Sequence, residues 1–135
     1  MMRFGATVVA VVALLGCVES GPALRLDEPA VAKLYDLPIP HYYATMTLAG
    51  QLAAGCASYR YDIAQDQALS EARNAEGRGS LSALALQNAI DVETDVTRRS
   101  FLAKHGLASL EGDTCAVIAS EKAEQSPLSA LLIRS

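Results

Sequence analysis

Apolar residues recur at helical spacing along two long segments of the chain. In the segment 41–54, Tyr42, Met46 and Ala49 fall on one stripe, because residues three or four apart share one face of an α-helix. A longer segment, 81–105, carries an apolar face made of Leu86, Ala89, Ile90, Thr97 and Phe101. The pattern predicts helices over both segments, with Gly106 ending the second.

Shorter segments with the same period lie before, between and after these two. Asp27, Glu28 and Pro29 form a start signal for a helix over 30–36, since acidic residues and an early proline favour a helix N-terminus. Further helices are predicted over 63–75, 115–119 and 127–133, whereas Pro38 and Pro40 disfavour helix in the residues before them. No alternating pattern exceeds four residues, so no strand is predicted.

A positive residue followed by a short apolar run opens the chain. Arg3 precedes the apolar stretch 5–16, about 12 residues, where crossing a bilayer takes about 20. This layout is typical of a cleaved export signal. The run ends with Leu-Leu-Gly-Cys at 14–17, which resembles a lipobox and predicts cleavage after Gly16 with lipidation of Cys17.

Lipidation of Cys17 sets the predicted domain boundaries. Residues 1–16 are then a signal peptide, 17–26 a tether and 27–135 a single helical domain. The chain is expected to be exported to the periplasm or to the outer membrane of a Gram-negative bacterium, held to the membrane through the lipid on Cys17. The alternative is an ordinary signal peptide cut after residue 20 or 23, which removes Cys17.

The cysteine count indicates one covalent crosslink. The chain has three cysteines, and lipidation of Cys17 leaves Cys56 and Cys115 as a pair. An oxidising compartment favours a disulfide between them, with two free buried thiols as the alternative. A metal site is not predicted, because no ligand spacing is present. We expect an all-α fold, a small irregular bundle of about five helices stapled by one disulfide.

The charge and aromatic content exclude one class of partner. The formal net charge is −4 and tryptophan is absent. Because phosphate contacts need clustered lysine and arginine, we expect no nucleic acid among the partners. The core is expected to consist of aliphatic side chains, with tyrosines at its margins.

Three carboxylates on the long predicted helix are the first candidates for chemistry. Asp91, Glu93 and Asp95 lie close in sequence, and paired carboxylates can perform acid–base work in a cleft. Asp95 also precedes Arg99 by four residues, the favourable orientation for a surface ion pair. We therefore interpret this cluster as a solvated charged face and predict no catalytic residue in it.

The two histidines are the next candidates. His41 and His105 lie far apart in sequence. His105 precedes Gly106, where a positive charge stabilises a helix C-terminus. His41 lies at a predicted helix start, where contact with solvent explains it, and no nucleophile elbow accompanies either histidine.

A short aromatic and basic segment is the candidate for partner contact. Tyr59, Arg60 and Tyr61 are consecutive. One interpretation is an exposed binding patch. The other, which we favour, is a loop whose tyrosines cover the edge of a small core.

Three motifs together resemble an uncharacterised family. The segments are Leu-Ala-Ala-Gly-Cys at 52–56, Leu-Ala-Lys-His-Gly at 102–106 and Asp-Thr-Cys-Ala-Val-Ile-Ala at 113–119. Over residues 28–133 the chain is similar to a domain-of-unknown-function family of small exported helical proteins of alphaproteobacteria. The resemblance implies a disulfide between Cys56 and Cys115 and no assigned activity.

The sequence supports two functions of different classes. The first is a non-catalytic binding or interaction module of the cell envelope, such as an inhibitor or periplasmic helper, with a protein partner and no cofactor. The alternative is an enzyme with an acid–base site near the helix 81–105. A shallow, alanine-lined surface favours binding, whereas a deep pocket containing Asp91 or His105 favours the enzyme.

Overall fold

The computed structural model describes residues 24–135, without the side chains of residues 80–82. Within this range six α-helices, one 3-10 helix (η1) and a two-stranded sheet follow one another. The order is α1 Pro29–Tyr35, α2 Ile39–Ala54, β1 Tyr59–Tyr61, α3 Ile63–Ala75, α4 Ser80–Ala85, α5 Gln87–His105, α6 Cys115–Ala123, η1 Pro127–Leu131 and β2 Leu132–Arg134. The predicted helical bundle with one disulfide is confirmed.

Helix α2 lies at the centre of the bundle and packs against α1, α5 and η1. Its buried positions include Tyr42, Leu48 and Leu52, so the predicted apolar stripe faces the core. Leu131 and Leu132 from the C-terminal end are fully buried in the same core. Aliphatic side chains therefore form most of the core, and removing them from water is the main stabilising contribution.

Helix α2 begins two residues earlier than its apolar pattern predicts. It starts at Ile39, so Pro40 lies inside its first turn. Proline is tolerated there because the first N–H groups of a helix have no intrahelical partner to lose. The prediction that Pro40 disfavours helix in the residue before it was therefore wrong for Ile39.

The predicted helix over 81–105 is two helices with a break at Leu86. That residue has φ −110° and ψ 19°, outside the helical region. Helices α4 and α5 both contact α2. A straight helix of about 25 residues would be about 38 Å long, against about 24 Å for α2, so the break lets both parts remain on the bundle.

The segment Tyr59–Tyr61 is a strand, where a loop was predicted. It pairs antiparallel with Leu132–Arg134, Tyr59 opposite Arg134 and Tyr61 opposite Leu132. The predicted helix over 127–133 is correspondingly a short 3-10 helix followed by β2. Both predictions failed for one reason: the strand partners lie far apart in sequence, and no local periodicity reports such a pairing.

Cys17 and the predicted export signal lie outside the described residues. Leu24 packs against the core, and Arg25 donates from Nε to Gln65 at 2.7 Å and from Nη2 to Asp62 at 2.8 Å. The last residues of the predicted tether thus contact the domain. Among the described helices, none is both long and apolar enough to cross a membrane.

Candidate functional site

A groove lies between the end of α2, the second half of α5 and the loop 106–113. It encloses about 650 Å³, within the range of about 300–1,000 Å³ found for ligand sites. We call its apolar lining residues the floor: Ala54, Leu102, Ala108 and Leu110. We call its polar lining residues the rim: Gln51, Asp95, Arg98, Arg99, Ser109 and Glu111. The groove is open, so it suits a segment laid along a surface.

The loop that forms one wall is held where α5 ends. Gly106 adopts the left-handed conformation at φ 63°, and the Leu107 N–H donates to the Leu102 carbonyl at 2.9 Å. This backbone geometry ends a helix sharply and favours glycine. The predicted stop at Gly106 is thus confirmed, and it turns the chain back toward α2.

The other end of the loop is fixed to the end of α2. The Thr114 hydroxyl donates to the Leu52 carbonyl at 2.6 Å, and the Thr114 N–H donates to the Gly55 carbonyl at 3.2 Å. A side chain at Gly55 would collide with its neighbours, because a Cβ there would lie 2.8 Å from Thr114 Oγ1 and 2.9 Å from the Gly112 carbonyl. This close approach places the loop wall against α2.

The disulfide between Cys56 and Cys115 closes the same junction. Their Cα atoms lie 5.0 Å apart, a normal separation for a bonded pair, so the predicted pairing is confirmed. Asp113 is the third member of the only group of potential metal ligands found in residues 24–135. Because both sulfurs are bonded to each other, no thiolate is available there for a metal.

The charged rim of the groove carries two guanidinium groups, Arg98 and Arg99, and two carboxylates, Asp95 and Glu111. Asp95 accepts from Arg98 at 3.1 Å and from Arg99 at 2.5 Å, so the predicted ion pair between Asp95 and Arg99 is present. These groups are roughly half exposed or more, and such pairs add little stability. Two guanidinium groups share one carboxylate, which leaves N–H donors of both directed to solvent or to a ligand.

A separate ionic cluster joins α5 to α6. Glu121, only 3% exposed, accepts from Lys104 Nζ at 2.6 Å and contacts His105 Nε2 at 2.6 Å. Burial alone would raise the pKa of Glu121, but hydrogen bonds from Lys104 and neighbouring groups hold that pKa below its ordinary value. Burial likewise opposes the charge on Lys104, and its hydrogen bonds with Glu121 and Glu124 outweigh it and raise the pKa.

Acidification should destabilise the fold through Glu121. A carboxyl whose pKa is lowered by folding contributes stability above its ordinary pKa of about 4.5, and the contribution is lost as pH falls through the folded value. We expect Glu121→Gln to lower the free energy of unfolding by about 1–3 kcal/mol at neutral pH and to flatten its acid dependence. Urea unfolding between neutral and acidic pH measures both effects.

Glu124→Gln is the matched control for this prediction. Glu124 also binds Lys104 at 2.6 Å, but the two side chains are 49% and 42% exposed. Its replacement should therefore lower the free energy of unfolding by less than about 1 kcal/mol. Equal losses in the two variants would show that burial of Glu121 does not matter.

The other predicted candidates lie outside the groove, apart from Asp95. Asp91 is exposed and accepts from Gln87 at 2.9 Å, while Glu93 pairs with His41 at 2.9 Å. The two histidines therefore sit in different places, His41 beside Glu93 and His105 beside Glu121. The structure does not bring the two histidines together.

The segment Tyr59–Tyr61 is also separate from the groove. Tyr59 and Tyr61 pack on the core and Arg60 is exposed, which confirms that the tyrosines cover a core edge. The Tyr61 hydroxyl donates to Asp66 at 3.1 Å, and burial raises the pKa of Tyr61. Arg60 is thus the exposed side chain of this segment, between two half-buried tyrosines.

A smaller cleft of about 270 Å³ lies beside α1. Its cations are already bound: Arg25 pairs with Asp62, and Lys122 Nζ donates to the carbonyls of Ser129 at 3.2 Å and Leu132 at 2.5 Å. Burial lowers the pKa of Lys122. Lys122 thus holds the C-terminal segment, and Arg25 holds the start of the domain to the N-cap of α3. The larger groove is the better candidate for a ligand.

Most residues of the groove have no signal in the sequence that marks them as a site. Leu110 and Ala108 belong to a loop with no periodic pattern, and the buried role of Glu121 has no local signal in the sequence. Only the glycine at the end of α5 indicated that the chain turns there. Comparisons with protein-family models, curated proteins and solved structures find no match for this chain.

Proposed function

We propose that this chain is a non-catalytic binding module of the cell envelope, and that its groove holds a protein partner. The observation that carries the proposal is the apolar floor around Leu102 and Leu110 beside the paired guanidinium groups of Arg98 and Arg99. An apolar side chain fits such a floor, and a carboxylate next to it can accept from an arginine fork. The ligand is therefore a segment with an apolar residue beside an acidic one.

The alternative function, an enzyme with an acid–base site near the segment 81–105, has less support. Neither Asp91 nor His105 lines the groove or the smaller cleft. His105 is directed to Glu121, where Lys104 already neutralises the carboxylate. A catalytic group must reach the reacting atoms of a substrate, and a site built around His105 would first have to open this cluster.

Export remains part of the proposal. The signal-like segment 1–16 and the lipobox at Cys17 support it. The bond between Cys56 and Cys115 is consistent with an oxidising compartment, because disulfides persist there and are rare in reducing ones. A lipid on Cys17 would hold the binding module at a membrane surface.

Peptide display tests the proposed ligand class. We expect the disulfide-bonded protein to enrich peptides with a leucine, isoleucine or phenylalanine next to aspartate or glutamate. Leu102→Asp and Arg98→Glu should each weaken binding of an enriched peptide at least tenfold, about 1.4 kcal/mol. Titration calorimetry measures peptide binding by the wild type and by each variant. Circular dichroism checks that the helices of each protein are intact.

Arg60→Glu is the control, because Arg60 is exposed but lies outside the groove. It should bind the enriched peptide as the wild type does. Loss of binding in Arg60→Glu with normal binding in the groove variants would assign the partner to the segment Tyr59–Tyr61. Enrichment of no peptide class would contradict the proposal.

A further inference from the structure

Lys122 lines the smaller cleft beside α1, which encloses about 270 Å³. Its Nζ donates to two main-chain oxygens, the carbonyls of Ser129 at 3.2 Å and Leu132 at 2.5 Å. Both acceptors belong to buried residues of the C-terminal segment. The amine is therefore fixed in position at the wall of a cleft.

Lys122 differs from Lys104 in having no carboxylate that stabilises its positive charge. Lys104 Nζ contacts Glu121 and Glu124, each at 2.6 Å. Burial opposes the charge on Lys104, but these contacts outweigh burial and raise its pKa. Lys122 forms no ion pair with any of the residues 24–135, and burial lowers its pKa. More of its amine is therefore in the free-base form at neutral pH than in an ordinary lysine.

In the described part of the chain, three charged groups act on Lys122 from neighbouring elements. Arg25 disfavours the ammonium form, whereas Glu28 at the N-cap of α1 and Asp62 at the N-cap of α3 favour it. Both carboxylates are paired with Arg25, Glu28 at 3.3 Å and Asp62 at 2.8 Å. Arg25 thus offsets part of their effect, and burial remains the largest influence on Lys122.

The contacts of Lys122 leave its nitrogen open to one kind of reaction. A free amine has two N–H groups and one lone pair. With the N–H groups bound by Ser129 and Leu132, the lone pair is left for a reagent that enters the cleft. Part of the lining is apolar, so a small reagent with an apolar body fits it: Pro29, Ala30, Ala130 and Ile133. Lysines that are desolvated, or that lie near a second cation, are the ones that attack carbonyl compounds.

We propose that Lys122 is a nucleophile that forms an imine with a small apolar aldehyde held in this cleft. The lone pair of Nζ attacks the carbonyl carbon, and a C–N bond forms. The aldehyde oxygen leaves as water with the two hydrogen atoms of the amine, and a C=N bond remains. No oxidant or reductant takes part. Once the imine takes a proton from water, its single N–H donates to one of the two carbonyls that held the amine.

This reaction goes beyond the proposed peptide binding and is independent of it. The cleft and the groove share no lining residue. A protein that binds peptide without reacting at Lys122, or one that reacts without binding peptide, would separate the two proposals.

Reductive trapping of the disulfide-bonded protein tests the proposal. The protein is treated at neutral pH with a limiting amount of pentanal and with cyanoborohydride, which reduces an imine to a stable secondary amine. Peptide mass spectrometry then compares the three lysines of the chain. We expect at least about tenfold more label on Lys122 than on Lys33 or Lys104, because the free amine is the reacting form. Lys33 is the control for exposure, since it is exposed and its Nζ donates to the Gln125 carbonyl at 2.8 Å.

The pH dependence of labelling provides a second readout. Labelling of Lys122 should rise at a lower pH than labelling of Lys104, because the pKa of Lys122 is lowered and that of Lys104 is raised. The opposite order would contradict the proposal.

Ile133→Glu tests the role of the cleft, because it places a carboxylate in the lining that would stabilise the ammonium form. We expect the label on Lys122 to fall to the level of Lys33. Arg134→Glu, an exposed change next to the lining, is the control and should leave the labelling unchanged. Circular dichroism checks the fold of both variants, and if Ile133→Glu fails to fold, the three lysines of the wild type decide. Equal labelling of those lysines, or undiminished labelling of Lys122 in a folded Ile133→Glu, would overturn the inference.

Discussion

Replacing Cys56 and Cys115 together by serine should lower the free energy of unfolding by about 4 kcal/mol. The bond joins residues 59 positions apart, and a crosslink over such a loop removes much of the chain entropy of the unfolded state. A domain of this size has a total stability of about 5–15 kcal/mol. The bond is therefore expected to supply a large share, and urea unfolding of oxidised and variant protein measures it.

Reduction of the Cys56–Cys115 disulfide in the wild type is the control for this loss of stability. The reduced protein should unfold as the double serine variant does, and Cys17→Ser should leave the free energy of unfolding unchanged. The groove loop should also lose its order, because Cys115 follows the loop directly. A difference below about 1 kcal/mol between oxidised and reduced protein would contradict the assigned role of the bond.

Arg73→Ala should lower the free energy of unfolding by about 3–5 kcal/mol, an effect comparable to the loss of the disulfide. Arg73 is 2% exposed, lies 4.0 Å from the centre of the Tyr42 ring, and donates to the carbonyls of Tyr35 at 2.5 Å and Leu37 at 3.1 Å. It therefore satisfies carbonyls at the end of α1. Alanine would leave the Leu37 carbonyl without its side-chain donor, the Tyr35 carbonyl with only the longer bond from Arg78, and a cavity beneath the ring. Thermal and urea unfolding would both report the loss.

Arg78→Ala is the matched control. Arg78 donates to the same Tyr35 carbonyl at 3.3 Å and lies over the Tyr35 ring, but its side chain is 42% exposed. Since water can replace an exposed donor, this variant should lose no more than about 1 kcal/mol. Similar losses for Arg73→Ala and Arg78→Ala would show that burial of Arg73 is not what stabilises the turn after α1.

Local patterns predicted those parts of the fold that local chemistry determines. Helix α3 runs over Ile63–Ala75 as its period predicts, and α5 ends before Gly106 as expected. The pairing of β1 with β2 and the break at Leu86 were missed. Both depend on contacts with segments distant in sequence, and such packing overrides the local secondary-structure propensity of the residues.

The candidate site was predictable only in part. The disulfide followed from the cysteine count and compartment, and the ion pair between Asp95 and Arg99 followed from helical spacing. The groove itself did not, because Leu102 on α5 and Leu110 on a loop converge only in the folded chain. The burial of Arg73 was missed for the same reason: its partners lie on α1, α2 and the turn between them.

The central claim is that the groove between α2, α5 and the loop 106–113 is where this protein binds its partner. Nuclear magnetic resonance titration with an enriched peptide tests it most directly, because each backbone amide reports its own surroundings. The account predicts the largest shifts at Leu102, Leu110 and Arg98, with Arg60 and His105 unchanged. Shifts confined to the segment Tyr59–Tyr61 or to the cluster around Glu121, with the groove amides unmoved, would contradict it.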